Sequence, residues 1–401
     1  MIERKAYLDW LLRNKDNGLI KVISGVRRSG KSTLFELYKN HLTAHGVEEE
    51  QMIHMNFEDL RHYHLRDFLK LNDHILSLIN NDQNYYIFLD EIQHVYRFEE
   101  VINSLNLQKN LDIYITGSNA YFMSGEFATY LAGRYLELKI LPLSFSEFLS
   151  GYENSDRPLS DIYLDFKKTA FPFLVNETQV IARNEYIRAI YNDIVVKDIV
   201  TRHKITDQNI LERVLMFLMG NIGSEVSINK IANVLKSEGI AISNNTVEKF
   251  VDALVDGLII YKAPRYDIKG KHLLRRLEKY YAVDLGFREL MLPDRLGDDG
   301  HLLENIIFLE LKRRHFHVYV GRSDKFEVDF VCLDHGAKPT YYQVALQTLD
   351  EKVLERELRS LMLISDSHPK YLLTLDTFNR NGNYDGIIKM NALDWLLGTP
   401  S

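Results

Sequence analysis

The sequence predicts an α/β protein that opens with a parallel sheet and continues into helical and mixed segments. Short apolar runs alternate with helix-compatible stretches over residues 1–150, a pattern typical of parallel strands joined by helices. A glycine-containing loop connects the first of these runs to a helix that opens at Lys31. The length of 401 residues exceeds what one hydrophobic core usually supports, so we expect more than one domain.

The composition excludes several classes of protein. Hydrophobic residues make up 46% and charged residues 26% of the chain, which indicates a folded protein. The single cysteine, Cys332, excludes an intrachain disulfide framework and a cysteine-based zinc site. Because no signal-peptide pattern and no membrane-length apolar window is found, we expect a cytoplasmic protein without a membrane partner. The net charge of -7 means that nucleic acid could be bound only by a local basic patch.

The first apolar run, residues 21–24, leads into a phosphate-binding pattern. Its spacing is G-x-x-x-x-G-K-S, in which the glycines let successive backbone N–H groups face phosphate oxygens. The helix opening at Lys31 adds the positive end of its dipole. We expect Lys31 to reach the β and γ phosphates of ATP, and Ser32 to bind Mg²⁺ beside Thr33. The predicted ATP-binding residues are Gly25, Val26, Arg27, Arg28, Ser29, Gly30, Lys31, Ser32 and Thr33.

A pair of acids follows another apolar run, residues 85–89. Such a near-continuous run is typical of a parallel strand covered on both faces. At its end, Asp90 is predicted to hold Mg²⁺ through water, and Glu91 to polarise the attacking water. Further runs at 52–56 and 112–116 indicate that the acid-bearing strand is not the next strand after the loop.

Three more residues are candidates for catalysis. Ser118 and Asn119 follow the run at 112–116, where they could contact the γ-phosphate or form an ordinary turn. Arg134 precedes a fifth run at 135–140, and it could stabilise phosphoryl charge in its own subunit or a neighbouring one. A surface arginine paired with an acid is the competing interpretation. Arg27 and Arg28 are likewise either phosphate contacts or solvent-facing loop residues.

Taken together, these motifs resemble a known family. Similarity in order and spacing to AAA-superfamily ATPases of bacteria and archaea is carried by five motifs: Gly25–Ser32, Phe88–Gln93, Thr116–Ala120, Leu131–Tyr135 and Leu141–Phe148. Those proteins carry a C-terminal domain of unknown function, and the resemblance extends into this half of the chain. It implies a P-loop NTPase sheet of the additional-strand, catalytic-glutamate type, with ATP and Mg²⁺ bound and ATP hydrolysed.

After the sheet, the pattern becomes helical and then mixed. The resemblance implies a helical lid over residues 151–206. Two amphipathic helices, Val226–Leu235 and Ser243–Leu254, precede a short strand at Leu258–Tyr261, which is the order of a winged helix-turn-helix. Residues 262–279 carry seven basic and two acidic side chains, a local charge of 7 - 2 = +5. This stretch is either a wing that grips DNA phosphates or a solvated or protein-facing surface.

The last segment predicts a nuclease-like fold without nuclease activity. Glu304 on a helix and Asp329 on a strand match the layout of the PD-(D/E)xK nuclease core, but Gln343 and Ala345 stand at its Glu and Lys positions. A neutral amide supplies no charge to a divalent ion, and a methyl group cannot orient a nucleophile. Lys325, which shares a strand face with Asp329, remains open as a migrated lysine.

We therefore expect four segments: an ATPase core (1–150), a helical lid (151–206), a winged-helix-like domain (207–285) and a degenerate nuclease-like domain (286–401). The leading hypothesis is an ATPase that drives or gates rearrangement of the C-terminal domains. A nucleotide-dependent switch or DNA-associated module with little turnover is the alternative. A DNA or protein partner of the C-terminal half and assembly into a homo-oligomer both stay open.

Overall fold

A computed structural model of the chain describes residues 2–117, 130–131, 133–153, 155–177, 179–293, 297–315, 317–323, 326–334 and 336–398. The chain divides into two compact units. The first unit comprises Met1–Pro142, Asn192–Lys204 and Asp256–Leu258, and the second comprises Leu143–Tyr191, Ile205–Val255 and Ile259–Ser401. The predicted division into four segments is finer than this and stays a prediction.

The first unit is built on a parallel sheet with helices on both faces. Its strands are β1 (Ile20–Gly25), β2 (Met52–Asn56), β3 (Tyr85–Asp90), β4 (Leu111–Thr116) and β5 (Tyr135–Ile140). Its labelled helices are α1 (Lys5–Arg13), α2 (Lys31–Ala44), α3 (Phe68–Leu78) and α4 (Phe98–Leu105). The strand order is β2-β3-β4-β1-β5, and all neighbours are parallel. All five predicted runs are thus strands, and β4 lies between the loop-bearing β1 and the acid-bearing β3.

The apolar runs form strands because both faces of this sheet are covered. Every residue of β1, β3 and β4 is buried. Alternate side chains point to opposite faces, so Ile87 packs in the cluster that contains residues of α3 and α4, whereas Phe88 packs in the cluster with α1 and α2. One buried charge interrupts this pattern: Lys21 of β1 is paired with Asp112 of β4.

The second unit combines helices with a mixed sheet. Its helices are α5 (Phe145–Ser150), α6 (Leu159–Lys168), α7 (Val180–Asn192), α8 (Gln208–Met219), α9 (Ile228–Ser237), α10 (Asn244–Asp256), α11 (Leu285–Met291), α12 (Asp299–Arg314), α13 (Glu351–Met362) and α14 (Ala392–Leu397). Its strands are β6 (Glu225–Val226), β7 (Ile260–Asp267), β8 (His272–Ala282), β9 (His317–Ser323), β10 (Phe326–Leu333), β11 (Pro339–Ala345), β12 (Lys370–Thr374), β13 (Gly382–Tyr384) and β14 (Ile387–Asn391).

One continuous sheet contains strands of two predicted segments, 207–285 and 286–401. In the described residues its order is β13-β14-β12-β11-β10-β9-β7-β8-β6. The β7–β8 hairpin enters this sheet through parallel pairing of β7 with β9, where Arg265 lies opposite Val320. Residues 207–285 and 286–401 therefore share backbone hydrogen bonds.

Two local boundaries differ from the predictions. The first helix of the predicted helix-turn-helix begins at Ile228 rather than Val226, because the Ser227 side chain caps it by accepting from the Lys230 N–H at 3.1 Å. Val226 instead pairs with Glu278 in the sheet. Residues Asp193–Val200, within the predicted lid, form a π-helix that belongs to the first unit.

None of the helices in the described residues is long and apolar enough to cross a membrane.

Candidate functional site

Polar residues of the first unit gather where its parallel strands end. The carboxyl ends of β1, β2, β3 and β4 lie at one edge of the sheet and carry Gly25, Asn56, Asp90 and Thr116. In open α/β sheets this edge is where ligands bind. The loop from Gly25 to Gly30 and the first turn of α2 start at the same edge.

The loop backbone has a shape that needs glycine at both ends. Gly25 has a φ of 154°, and a Cβ added there would lie 2.4 Å from the carbonyl oxygen of Ile140. Gly30 has a φ of 98° and offers no side chain to cap α2. Next to Gly25 is the Ser29 hydroxyl, which is buried and has no hydrogen-bond partner among the described residues. An unpartnered buried hydroxyl and an uncapped helix start are what a loop that binds phosphate presents.

Lys31 and Arg4 hold this loop from two sides. The buried Lys31 ammonium donates to the carbonyl oxygens of Gly25 at 3.1 Å and Val26 at 3.4 Å. The Arg4 guanidinium, 4% exposed, donates to the Ser29 carbonyl at 2.9 Å and to the Leu141 carbonyl at 2.8 Å. Arg4 therefore connects the loop to the end of β5.

Thr116 connects the two acids at the end of β3, Asp90 and Glu91. Its hydroxyl donates to Asp90 Oδ1 and accepts from the Glu91 N–H at 3.1 Å. Asp90 is fully buried, and Asn56 Nδ2 donates to its other oxygen at 3.3 Å. Side chains at the ends of β2, β3 and β4 thus form one hydrogen-bonded group.

Glu91 is held in an unusual backbone conformation. Its φ of 54° lies in the left-handed region, which is uncommon for a residue other than glycine and costs about 1–3 kcal/mol. The Gln93 amide donates to its carboxylate at 2.6 Å. Ligand atoms of Glu58, Glu91 and His94 all lie within 4.8 Å of one another. Such strain persists where surrounding contacts enforce it, often at functional sites.

An ion pair connects the loop to the segment Asn192–Lys204. Arg27 donates from Nε to Asp198 Oδ2 at 2.7 Å and from Nη2 to Asp198 Oδ1 at 2.9 Å. Glu58 lies 3.6 Å from the third guanidinium nitrogen. This two-point pairing raises the pKa of Arg27 above its usual value. Arg28 is exposed.

Not all the predicted site residues meet at this edge. Ser32 and Thr33 lie in the first turn of α2, and both are exposed. Ser118 and Asn119 fall outside the described residues, as does Lys325 of the last segment. Arg134 precedes β5, and its carbonyl accepts from the Ile20 N–H at 2.9 Å. Because Ile20 begins β1 and Gly25 ends it, Arg134 lies at the opposite edge of the sheet from the loop, roughly 17 Å away by strand rise.

This position separates Arg134 from the loop within the chain, and a role as a phosphate contact in its own subunit or a neighbouring one stays a prediction. Its side chain is exposed and donates to Asn103 Oδ1 at 3.0 Å. Parallel pairing is the physical reason, since a residue just before one strand cannot lie beside a residue just after its parallel neighbour.

Several residues that form contacts in the site are absent from the sequence prediction, among them Thr116, Arg4 and Asp198. Thr116 ends a predicted strand, so parallel pairing beside β3 was a signal that it would lie next to Asp90. Arg4 and Asp198 contact the loop from 25 and 171 residues away, and no local pattern marks them.

Comparisons with known proteins agree with this architecture. Residues 17–149 match the family described as AAA domain, and residues 169–296 match a domain of unknown function (DUF8612). An uncharacterized protein of Haemophilus influenzae is 37% identical over 99% of each chain. Uncharacterized protein MJ1544 of Methanocaldococcus jannaschii is 31% identical over 85% of this chain and 77% of its own.

Among solved structures, the Walker-type ATPase paby2304 of Pyrococcus abyssi is similar at 15% identity, with a TM-score of 0.45 over 73% of this chain and 96% of that one. The AAA match covers the loop and both acids. The chain belongs to the family of the Haemophilus and Methanocaldococcus proteins, and it carries an AAA-superfamily domain followed by a domain of unknown function.

Proposed function

We propose that this chain binds ATP with Mg²⁺ at the carboxyl edge of the first sheet and hydrolyses it to ADP and phosphate. The observation that carries the proposal is the group formed by Asp90, Thr116 and Glu91 beside the glycine loop. Thr116 bonds both to the carboxylate of Asp90 and to the backbone of Glu91, so the two acids have fixed relative positions. Binding of the magnesium nucleotide would need the loop and Asp90, but it would not need a second acid held beside them.

The residues present fit a magnesium nucleotide. The unpartnered Ser29 hydroxyl, the uncapped start of α2 and the Lys31 ammonium are donors suited to phosphate oxygens. Ser32 and Asp90 supply oxygen atoms of the kind that Mg²⁺ prefers. When bound, Mg²⁺ would neutralise charge on the β and γ phosphates.

Glu91 is the proposed general base. In the reaction, a water oxygen attacks the γ phosphorus, the bond from phosphorus to the β–γ bridging oxygen breaks, and ADP takes that oxygen. Glu91 accepts the proton that the water loses, while Lys31 donates hydrogen bonds to the phosphates. The Thr116 hydroxyl and the Gln93 amide hold Glu91 in place through its backbone and its carboxylate.

Steady-state phosphate release tests this proposal, with nucleotide binding measured in parallel by calorimetry. Lys31→Ala should lose binding and release together. Glu91→Gln should keep ATP binding, because the loop is unchanged, and should lose roughly 100-fold or more in turnover. If the wild-type chain releases no more phosphate than Lys31→Ala with or without DNA, the hydrolysis proposal fails.

A second candidate is a nucleotide-dependent switch, and the Arg27–Asp198 pair favours it. Arg27 belongs to the loop, and phosphates bound there compete with Asp198 for the same guanidinium. Asp198 belongs to Asn192–Lys204, which in the chain links two stretches of the second unit. If bound nucleotide draws Arg27 away from Asp198, the segment Asn192–Lys204 loses this ion pair. The segment continues in the chain into the second unit on both sides.

Hydrogen exchange of the segment 192–204 tests the switch. A non-hydrolysable ATP analogue should change its exchange in the wild type, whereas Asp198→Asn should give the altered exchange without nucleotide. Lys31→Ala, which should not bind the analogue, is the control. Equal exchange with and without bound analogue in the wild type would contradict this role.

For the second unit we propose winged-helix-like and nuclease-like parts without nuclease activity. The order α8, β6, α9, α10, β7, β8 supports the winged-helix proposal. The basic count of residues 262–279 overstates the charge available to DNA, because Lys262 pairs with Glu278 at 2.8 Å and Lys279 is buried among acids. A protein partner is therefore favoured over DNA, and a cytoplasmic location and a homo-oligomer remain parts of the proposal.

A further inference from the structure

A cluster of acids surrounds one lysine in the second unit. Lys279 of β8 is 4% exposed, and its ammonium lies 2.9 Å from Glu304 Oε1 and 3.0 Å from Glu327 Oε1. Asp329 Oδ1 is 3.6 Å away. Glu304 belongs to α12, and Glu327 and Asp329 belong to β10. Together with Lys279 of β8, one helix and two strands supply this group of charges.

The contacts around this cluster keep the lysine charged. Burial alone would lower the pKa of Lys279, but Glu304, Asp329 and Glu327 together raise it above its usual value. Tyr281 donates to Glu304 Oε1 at 2.7 Å, and the Val344 N–H donates to Asp329 Oδ2 at 2.9 Å. The cluster therefore has its own cation and its own hydrogen-bond donors.

Further charged groups face the cluster, and one of them, Arg322 of β9, lies 3.4 Å from Glu327 Oε2. Burial and the nearby charge of Glu304 raise the pKa of Asp329 to about 7. His301, one turn before Glu304 in α12, lies 3.4 Å from Glu304 Oε2, and this contact raises the pKa of the imidazole. The excess of negative charge is thus reduced by the basic groups that face the acids.

The two residues that depart from the nuclease pattern add no charge to this cluster, although the Asp329 N–H donates to the Gln343 amide oxygen at 3.4 Å. Gln343 of β11 donates to Glu357 at 2.9 Å, and its amide oxygen accepts from Ser360 at 3.3 Å. Ala345 packs in an apolar cluster with residues of α13. The strand that would carry Glu and Lys in an active nuclease therefore contributes no side-chain charge, and the lysine comes from β8 instead.

We propose that the Lys279 ammonium is a built-in cation that takes the place of a divalent metal ion between Glu304 and Glu327. A divalent ion bound by the same two oxygens would lie about 2.0–2.2 Å from each, within the volume of the ammonium. The ligand atoms of Glu58, Glu91 and His94 lie within 4.8 Å of one another, close enough to share a metal ion. Among the described residues, the acids around Lys279 do not form such a group. The lysine keeps the acids apart and compensates their charge.

This inference is tested by measuring the binding of Mn²⁺ to the full chain without nucleotide, by calorimetry and electron paramagnetic resonance. The wild type and Glu304→Gln should bind the same number of Mn²⁺ ions, because Glu304 already holds a cation. An ion that binds the wild type and is lost in Glu304→Gln would overturn the proposal. Since both proteins keep Lys279, this comparison does not depend on how well a lysine variant folds.

Removing the lysine should create a site. Lys279→Met is expected to bind one Mn²⁺ ion more than the wild type. Its affinity for this ion should be at least about tenfold higher than any affinity of the wild-type cluster for Mn²⁺, and adding Glu304→Gln should abolish the new site. Lys262→Met, on the same hairpin but outside the cluster, is the matched control and should gain no ion. If Lys279→Met folds only with Mn²⁺ present, the proposal is supported. A folded Lys279→Met that gains no ion would contradict it.

Discussion

Replacing Thr116 by valine removes the hydroxyl that connects Asp90 and Glu91 while keeping nearly the same shape. Two hydrogen bonds are lost, one to a buried carboxylate and one from the Glu91 N–H. A hydrogen bond to a charged group is worth about 1.5–3 kcal/mol, and a buried donor left without an acceptor costs about 1–3 kcal/mol. We therefore expect Thr116→Val to lower the free energy of unfolding by about 2.5–6 kcal/mol.

The effect on catalysis follows from the same contacts. Without the hydroxyl, Glu91 loses the acceptor of its backbone N–H, and its strained φ is less well enforced. If positioning of Glu91 supplies about 1.5–3 kcal/mol of transition-state stabilisation, kcat should fall roughly 10- to 150-fold. Binding of ATP should change little, because Lys31 and the loop are untouched.

Phosphate release and urea unfolding measure these two effects, with Thr116→Ser as the matched control. Serine keeps the hydroxyl, so Thr116→Ser should retain most of the activity of the wild type. A folded Thr116→Val that hydrolyses ATP at the wild-type rate would refute the assignment of Thr116 as a positioning residue.

Three further predictions concern other parts of the chain. Gly25→Ala should abolish ATP binding in a calorimetric titration, because the new methyl group would meet the Ile140 carbonyl at 2.4 Å; retained binding would show that the loop can move. Arg134→Ala should leave turnover of the dilute, monomeric protein within about twofold of wild type, since its side chain lies at the far edge of the sheet; a large loss under those conditions would contradict the observed position. Asp329 has a folded-state pKa of about 7 against about 3.9 unfolded, so its proton favours the folded state at low pH and this contribution is lost as pH rises through 7. The Tm of the wild type should therefore fall more steeply between pH 5 and 8 than that of Asp329→Asn, and parallel Tm profiles would contradict this.

The first sheet could be predicted because its signals are local. A strand buried on both faces must be almost wholly apolar, and the runs at 85–89 and 112–116 meet that requirement. The glycine loop could also be predicted from the sequence, since Gly25 and Gly30 take backbone conformations that other residues rarely adopt. Spacing alone therefore located the loop and the acids at the end of β3.

The remaining features depend on contacts between distant parts of the chain. Asp198 meets Arg27 across 171 residues, and Lys279 meets Glu304 across 25. Neither pair follows a helix or strand period, so both are visible only once the chain is folded. The position of Arg134 is different, because the direction of parallel strands already separates a residue before β5 from a loop after β1.

The state of nucleotide bound to the wild type and to Glu91→Gln tests the central claim most directly. Each protein would be mixed with a limiting amount of ATP and Mg²⁺, quenched over time, and the ratio of ADP to ATP measured by chromatography. We predict that the wild type converts its ATP to ADP, whereas Glu91→Gln binds ATP as tightly and keeps it intact over the same period. Unchanged ATP on the wild type, or conversion by Glu91→Gln at the wild-type rate, would contradict this.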